Sequence, residues 1–490
     1  MTTIMKDTPS ISVLMPVRNA ETFLKEAVDS ILGQTFTDFE FIIIDDASTD
    51  RSPEIIRSYT DSRIKFIQNK SNQGNHISRN IGLEKACGKY IAAMDTDDRA
   101  LPERLLTQYH YMEQHPDVLA CGCLFYVNST IISKPLNDRD IRIALLHDNC
   151  FLHPSLFIRT EVMQAIGGYD KEYRYSADYD LVCRISLLGK ITNLPDVLME
   201  YRMHKEQISQ KHTDMQKHYA DRIRNNYREE IMKRMPPVSI VIPLRIESTE
   251  REANLHCVLQ YLLRSPFVYI DLLEADKERH FFFTHHERIR YRFVHDEEPV
   301  FYRTHYLNEL LREAQHSIVG IWDADVLIPE AQLIAAVWHV LGGCVLCFPY
   351  NGKFRFLEKE RSNAIRKDMD ELQAGEGYCL LGRPSVGGAF LVNKTKYLEA
   401  GGENEGFYGW GPEDAERVKR LEILELPIAR TKGLLYHLHH ERKPDIGVDN
   451  RKKAQHNQKV LLNTCRQSKE ELTKALKCHT GIFSYLDNHN

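Results

Sequence analysis

Ile11-Ser12-Val13-Leu14-Met15-Pro16-Val17-Arg18 returns 227 positions later as Val238-Ser239-Ile240-Val241-Ile242-Pro243-Leu244-Arg245. Ile91-Ala92-Ala93-Met94-Asp95-Thr96-Asp97 returns 228 positions later as Val319-Gly320-Ile321-Trp322-Asp323-Ala324-Asp325. Gly167-Gly168 recurs as Gly401-Gly402, and Leu194-Pro195 with His204 recurs as Leu426-Pro427 with His437. Chance produces single matches. An ordered series at near-constant spacing means two copies of one architecture, each domain-sized and far longer than a solenoid repeat.

Each copy alternates strand and helix. Ile11 to Met15 and Phe41 to Ile44 are short β-branched runs bounded by Pro, Asp or Ser, as strands buried in a parallel sheet should be. Between them, Ala20 to Leu32 carries apolar residues at helical spacing, with Gly33 as a stop signal. Tyr90 to Met94 is the next strand. This alternation predicts an α/β fold whose ligands sit at the carboxyl ends of a mostly parallel central sheet. The expected layout is a domain over 1–210, a helical linker over 211–236, a second domain over 237–450 and a helical tail over 451–490.

The 490 residues include 64 Lys+Arg against 69 Asp+Glu, a net charge of -5, which removes the electrostatic case for a nucleic-acid binder. Met1 to Ser10 lacks the basic and apolar regions of a secretory leader. The most apolar stretch, Leu333 to Phe348, is broken by His339, Gly342 and Gly343, so it reads as a buried helix followed by a strand. Eleven scattered cysteines suit a reducing cytoplasm, and Cys344 with Cys347 reads as a pair of core cysteines.

Both copies place Asp-x-Asp directly after an apolar strand: Asp95-Thr96-Asp97-Asp98 and Asp323-Ala324-Asp325. Carboxylates gathered at a sheet edge repel one another unless a cation binds, and hard divalent cations prefer oxygen ligands. One such motif is equally well a turn, where Asp is common for local hydrogen bonding. Its recurrence at the same place in both copies favours Mn²⁺ or Mg²⁺, one per domain.

The residues around these acids resemble the GT-A nucleotide-sugar glycosyltransferases. The first copy is similar to glycosyltransferase family 2 in Val13 to Asn19, Asp45-Asp46-Ala47-Ser48-Thr49-Asp50, Asn72-Gln73-Gly74 with Ser78-Arg79-Asn80, and Asp95 to Asp98. The likeness continues through His153-Pro154-Ser155, Gly167 to Asp170, Ala177 to Leu181 and Tyr201 to His204. The second copy resembles the class with a galactosyltransferase-type carboxyl half, in Gly387-Gly388-Ala389-Phe390-Leu391, Gly401 to Glu405, Gly409-Trp410-Gly411-Pro412-Glu413-Asp414 and Tyr436-His437-Leu438-His439-His440. It departs in its amino half, where Leu272-Leu273-Glu274-Ala275-Asp276 replaces Asp-Asp-x-Ser. In the first copy Ala177 stands where many relatives carry an acid.

The resemblance implies two tandem GT-A domains with assigned roles. Asp97 and Asp325 would be direct metal ligands, with Asp95 and Asp323 nearer the ribose or the metal's outer shell. His204 and His437 would be further ligands or phosphate contacts, with His440 the runner-up to His437. Asp178 and Asp414 would take the acceptor's proton; each precedes a helical run, where the helix dipole favours the ionised form and an N-capping role is the bland alternative. Asp46 would meet the uracil ring, Pro16, Arg18 and Glu21 would frame base and ribose, and Pro243 and Arg245 would do so in the second copy. Arg79 would reach the diphosphate. Trp410 would be a platform for a sugar face, or plain core.

The resulting expectation is a bifunctional, metal-dependent transferase moving sugars from UDP-sugar donors to an oligosaccharide or lipid-linked glycan acceptor. Chondroitin- and hyaluronan-type polymerases resemble such a two-site chain, which points to capsule or other surface-glycan synthesis in the cytoplasm. Peripheral membrane association is left open. The alternative is a single transferase whose second domain grips the glycan. A nucleotidyltransferase is disfavoured, because no Gly-rich, Lys-bearing loop follows either first strand.

Overall fold

The computed structural model describes residues 8–204, 213–369, 372, 376–379, 382–407, 409, 411–441 and 450–478. The chain divides into two units, Met1–Ile231 and Met232–Asn490.

The strands of the first unit are β1 (Ile11–Val17), β2 (Phe39–Asp45), β3 (Ile64–Gln68), β4 (Tyr90–Ala93), β5 (Arg99–Ala100), β6 (Val118–Val127), β7 (Thr130–Ile132), β8 (Phe157–Arg159) and β9 (Lys190–Tyr201). They form one sheet in the order β3-β2-β1-β4-β8-β6-β9-β5, with β7 on β6. Pairing is parallel from β3 through β4, and β8 then runs antiparallel to both β4 and β6. All seven residues of β1 and of β2 are buried, which is why apolar residues fill consecutive positions in both, Val13 to Val17 and Phe41 to Ile44, in place of an in-out alternation. Helix Leu24–Leu32 presses Leu24, Ala27, Val28 and Ile31 inward, one stripe at helical spacing. It starts later than Ala20 because the Ala20 carbonyl closes a turn, accepting from the N–H groups of Phe23 and Leu24.

The second unit repeats this plan with β10 (Val238–Leu244), β11 (Val268–Asp276), β12 (Ile289–His295), β13 (Ile318–Trp322), β14 (Val326–Leu327), β15 (Leu346–Phe348), β16 (Phe354–Phe356), β17 (Ala389–Asn393), β18 (Ile428–Arg430) and β19 (Leu435–His437). Its order β12-β11-β10-β13-β17-β15-β18 matches the first sheet strand for strand, with the same parallel and antiparallel senses. The tandem α/β architecture read from the repeat is therefore the architecture of the fold. One difference matters for the site. The long β9 corresponds to two short strands, and β19 leaves the main sheet to join β14 and β16. Gly433 stands in the break at φ 101°, and a Cβ there would sit 2.1 Å from Gln332 Oε1.

The stretch read as a linker contains helix Thr213–Met232, whose Ile223, Tyr227 and Ile231 are buried. The Tyr227 hydroxyl lies 3.0 Å from Ser186 Oγ, so this helix packs on the first unit. In the tail, helix Asn450–Arg466 packs on the second unit, where Thr464 Oγ1 donates to Glu416 at 3.0 Å. Cys347 is buried in β15. Among the described residues no helix is long and apolar enough to cross a membrane.

Candidate active sites

In the first unit Asp95, Asp97 and Asp98 follow the carboxyl end of β4, the edge at which an open α/β sheet binds its ligand. Helix Asn75–Lys85 brings Arg79 to Asp95, with which it forms a partly buried ion pair. His153 Nδ1 lies 3.5 Å from the other Asp95 oxygen, and His153 Nε2 lies 2.9 Å from the Tyr169 hydroxyl. Asp97 meets His204 Nε2 at 3.0 Å, and the His204 ring packs on Phe23. Asp98 is buried and accepts from the Arg202 N–H at 3.1 Å.

The electrostatics of this cluster are uneven. Burial opposes charge on Asp95, but Arg79 and His153 overcome it and hold its carboxyl well below the usual range. Burial and the neighbouring Asp95 charge push Asp97 up, and burial with both neighbours pushes Asp98 well up. Three acids in one low-dielectric corner carry one salt-bridged charge comfortably and resist the other two. A bound cation would relieve that resistance.

Asp178 lies in the first turn of helix Ala177–Leu188, one residue inside it, and the cap is Ser176. Capping therefore does not explain Asp178. Its carboxylate accepts from Asn149 Nδ2 at 2.9 Å, and Arg79 and Tyr169 feel its charge. Asp178, Arg79, Asp95, His153 and Tyr169 thus share one electrostatic neighbourhood.

The remaining candidates of this unit gather at the ends of β1 and β2. Pro16 lies in β1, and Arg18 Nη1 donates to the carbonyls of Asp46 (2.5 Å) and Ala47 (2.9 Å). Glu21 pairs with Arg51 at 3.2 Å. Asp46 is fully buried and accepts from Asn69 Nδ2 (2.9 Å) and from the N–H groups of Gln73 and Gly74 (both 2.8 Å). Against burial, those donors keep its carboxyl below the ordinary range. Asp46 ties the loop that turns into the Arg79 helix through Gly74, whose φ of 92° favours glycine.

The second unit rebuilds the arrangement. Arg303, on helix Arg303–Glu313, donates to Asp323 at 2.6 Å as Arg79 does to Asp95. Asp325 is buried, with His440 Nε2 at 3.1 Å and His437 Nε2 at 3.7 Å. One ligand atom from each of Asp325, His437 and His440 lies within 4.8 Å of the others, a span one metal ion can bridge. Burial works against the Asp325 charge, but His440 and His437 hold its carboxyl below the usual range, whereas burial keeps that of Asp323 above it despite Arg303.

Register refines the histidine correspondence. Arg99 faces Glu200 across β5 and β9, and Leu327 faces Tyr436 across β14 and β19. Counting four residues on from Glu200 and Tyr436 equates His204 with His440. His437 corresponds to Tyr201, and the structure brings both histidines to Asp325.

Asp414 occupies the first turn of helix Glu413–Ile423, capped by Pro412, so it too lies inside the helix. Its Oδ1 accepts from Arg417 Nη1 at 2.8 Å. Glu413 beside it is buried, and that burial, with the Asp414 charge, pushes its carboxyl up to about 8. Pro243 lies in β10. Arg245 donates to the carbonyls of Ala275 (2.9 Å) and Glu298 (3.0 Å) and to Asp296 (2.7 Å). Val17 pairs with Asp45 and Leu244 with Glu274, so Ala275 stands where the first unit has Asp46. Trp410 lies outside the described residues.

Sequence reasoning missed Arg303, although the repeat spacing pointed near it, 224 positions after Arg79. It also missed the contacts of Asn149 with Asp178 and of His153 with Asp95 and Tyr169, which only the folded chain reveals, and that of Arg417 with Asp414, which their i, i+3 spacing on one helix allowed.

The model of the family described as "Glycosyl transferase family 2" matches residues 12–167, and that described as "N-terminal domain of galactosyltransferase" matches residues 377–442. An uncharacterized glycosyltransferase of Haemophilus influenzae is 33% identical over 237 residues, covering 45% of this chain and 73% of that protein. The chain belongs to glycosyl transferase family 2. The family-2 chain is also 35% identical to the O-antigen biosynthesis glycosyltransferase WbnJ of Escherichia coli, over 40% of this chain and 80% of that one. Among solved structures, S. aureus TarS 1-349 in complex with UDP is similar at 21% identity and a TM-score of 0.38, over 46% of this chain and 65% of that one. This family-2 chain is a glycosyl-transfer enzyme, and among its relatives are enzymes of polysaccharide biosynthesis.

Proposed function

We propose that the chain is bifunctional: each unit transfers one sugar from a UDP-sugar to a growing surface polysaccharide, and each uses one Mn²⁺ or Mg²⁺. The observation that carries this reading is the twofold pattern at the sheet edge. In both units the first acid of Asp-x-Asp holds an arginine, and the second stands beside histidine. Asp97 with His204, and Asp325 with His437 and His440, offer the oxygen and imidazole donors such a cation accepts. When bound, it would act as a Lewis acid on the diphosphate.

The chain's own residues do the rest. Arg79 and Arg303 are planar forks suited to phosphate oxygens, and each is held at the site by its aspartate. Asp178 and Asp414 accept the proton of the acceptor hydroxyl as it attacks the sugar carbon and the bond to the diphosphate breaks. Pro16, Arg18, Glu21 and Asp46 border the base and ribose in the first unit; Pro243 and Arg245 do so in the second. With UDP-sugar donors the reaction belongs to the cytoplasm, and a lipid-linked acceptor, as distinct from a free oligosaccharide, would bring it to the inner face of the membrane.

Substituting Asp97→Asn and Asp325→Asn separately, then assaying single-sugar addition from a panel of UDP-sugars with and without Mn²⁺, tests the proposal. Each variant should lose one activity and keep the other. The missing counterpart of Asp46 favours a second reading, in which the second unit only grips glycan. Asp325→Asn would then leave every transfer rate unchanged.

A further inference from the structure

We infer that Arg417 is a positioning residue, and that with Gly387 it clamps Asp414 so that Oδ2 is the oxygen offered to the acceptor. The inference rests on the reading of Asp414 as the base of the second unit.

Arg417 is fully buried. Two of its nitrogens form a fork on Glu403, Nε at 3.0 Å and Nη2 at 2.8 Å, while the third, Nη1, reaches Asp414 Oδ1 at 2.8 Å. The guanidinium lies 4.1 Å over the Phe390 ring. Glu403 cannot swing to release it. The Tyr397 hydroxyl donates to Glu403 at 2.7 Å, and the Glu403 N–H donates to Asn308 at 2.8 Å. Each of the three guanidinium nitrogens thus has a carboxylate partner, and Oδ1 of Asp414 receives a charged donor from a fixed direction. A lysine, with one nitrogen on a flexible stem, cannot bridge both acids in this way.

Gly387 closes the other side. A Cβ on this residue would lie 2.4 Å from Asp414 Oδ2, so only glycine lets the carboxylate remain where Arg417 holds it. Among the described residues Oδ2 has no hydrogen-bond donor, and the side chain is one-third exposed. One oxygen is anchored inward and the other is open. Arg420, one turn further, cannot replace Arg417, because it faces Glu416 and the carbonyls of Ala400 and Gly402.

The test uses the full-length chain with Arg417→Lys, Gly387→Ala and Asp414→Asn. For each variant, kcat and KM are measured for each transfer, with the first-unit activity in the same chain as the reference for intact protein. UDP binding to the second site is read in an Asp97→Asn background. Misplacing a catalytic group by about 1 Å costs up to ~100-fold, so Arg417→Lys and Gly387→Ala should each lower the second kcat about 10–100-fold. Donor KM, UDP binding and first-unit activity should stay within about twofold. Should Arg417→Lys disturb folding, Gly387→Ala decides, since it leaves the buried ion pair whole and meets only the end of a side chain. Unchanged kcat in Gly387→Ala, with Asp414→Asn inactive, overturns the clamp and leaves the base assignment standing. Full activity in Asp414→Asn overturns the base assignment itself.

Discussion

His440 stands to Asp325 as His204 stands to Asp97, with imidazole nitrogens 3.1 Å and 3.0 Å from the second acid of each motif. The second unit adds His437 at 3.7 Å, a third donor at the same point. The two units thus present one donor plan at different strengths.

Metal binding should follow that difference. Manganese affinity of the second site, measured by titration calorimetry in an Asp97→Asn background, should fall at least ~10-fold in His440→Ala, by analogy with perturbed metal shells. His437→Ala should cost less, given its longer approach. Equal affinities in all three proteins would contradict the assignment of these ligands.

The buried Glu413 predicts a pH-dependent stability. Its carboxyl is raised to about 8, so the folded state prefers the neutral form. The sign follows: its burial costs nothing below the ordinary carboxylate range, and the penalty grows as pH rises from there through 8. Glu413→Gln should stabilise the second unit by about 1–3 kcal/mol at pH 8 and by almost nothing at pH 4. Melting temperatures of the two proteins that stay parallel from pH 4 to 8 would refute this.

Glu40 predicts the opposite sign. Burial would raise its carboxyl, but Lys65, Ser12 Oγ (2.5 Å) and the Cys87 N–H (2.7 Å) outweigh burial and lower it. The stability these bonds supply is complete above the ordinary value of about 4.3 and is lost as pH falls through the lower folded value. Glu40→Gln should cost about 1–3 kcal/mol at pH 7. That deficit should shrink in acid, as denaturant titrations at pH 7 and pH 3 would show.

Two glycines of the first unit separate backbone clashes from side-chain clashes. A Cβ on Gly88 would lie 2.5 Å from the Ser12 nitrogen and 2.6 Å from the Ile11 carbonyl carbon, neither of which can step aside. A Cβ on Gly82 would meet Ile44 Cδ1 at 2.8 Å, the mobile end of a side chain. Gly88→Ala should therefore destabilise by about 3 kcal/mol or more, and Gly82→Ala by about 1 kcal/mol, in chemical denaturation. The reverse order would show that the Ile11 backbone is the softer neighbour.

Much of the site was legible because strand ends are legible. Apolar runs stop abruptly at Asp95 and Asp323, and the topology of an α/β sheet sends such residues to its binding edge. Asp178 and Asp414 were named by the family resemblance, and the helical run after each supported that reading. The histidines were less so. Sequence spacing matched His204 with His437, but the split of β9 into β18 and β19 shifts the register, and His440 takes the corresponding place.

By itself the order of residues determined the duplicated α/β plan, the strands, and the acids at their ends, because burial period and strand termini are local properties of a chain. Folding alone decided which partners those acids meet. Arg303 at Asp323, Asn149 at Asp178, and Gly387 against Asp414 join positions 20 to 29 residues apart, through distances that no spacing rule encodes, whereas Arg417 meets Asp414 at the i, i+3 spacing of their shared helix. Side-chain contacts of this kind depend on how whole elements pack, and packing is settled only when the sheet and its helices close around one core.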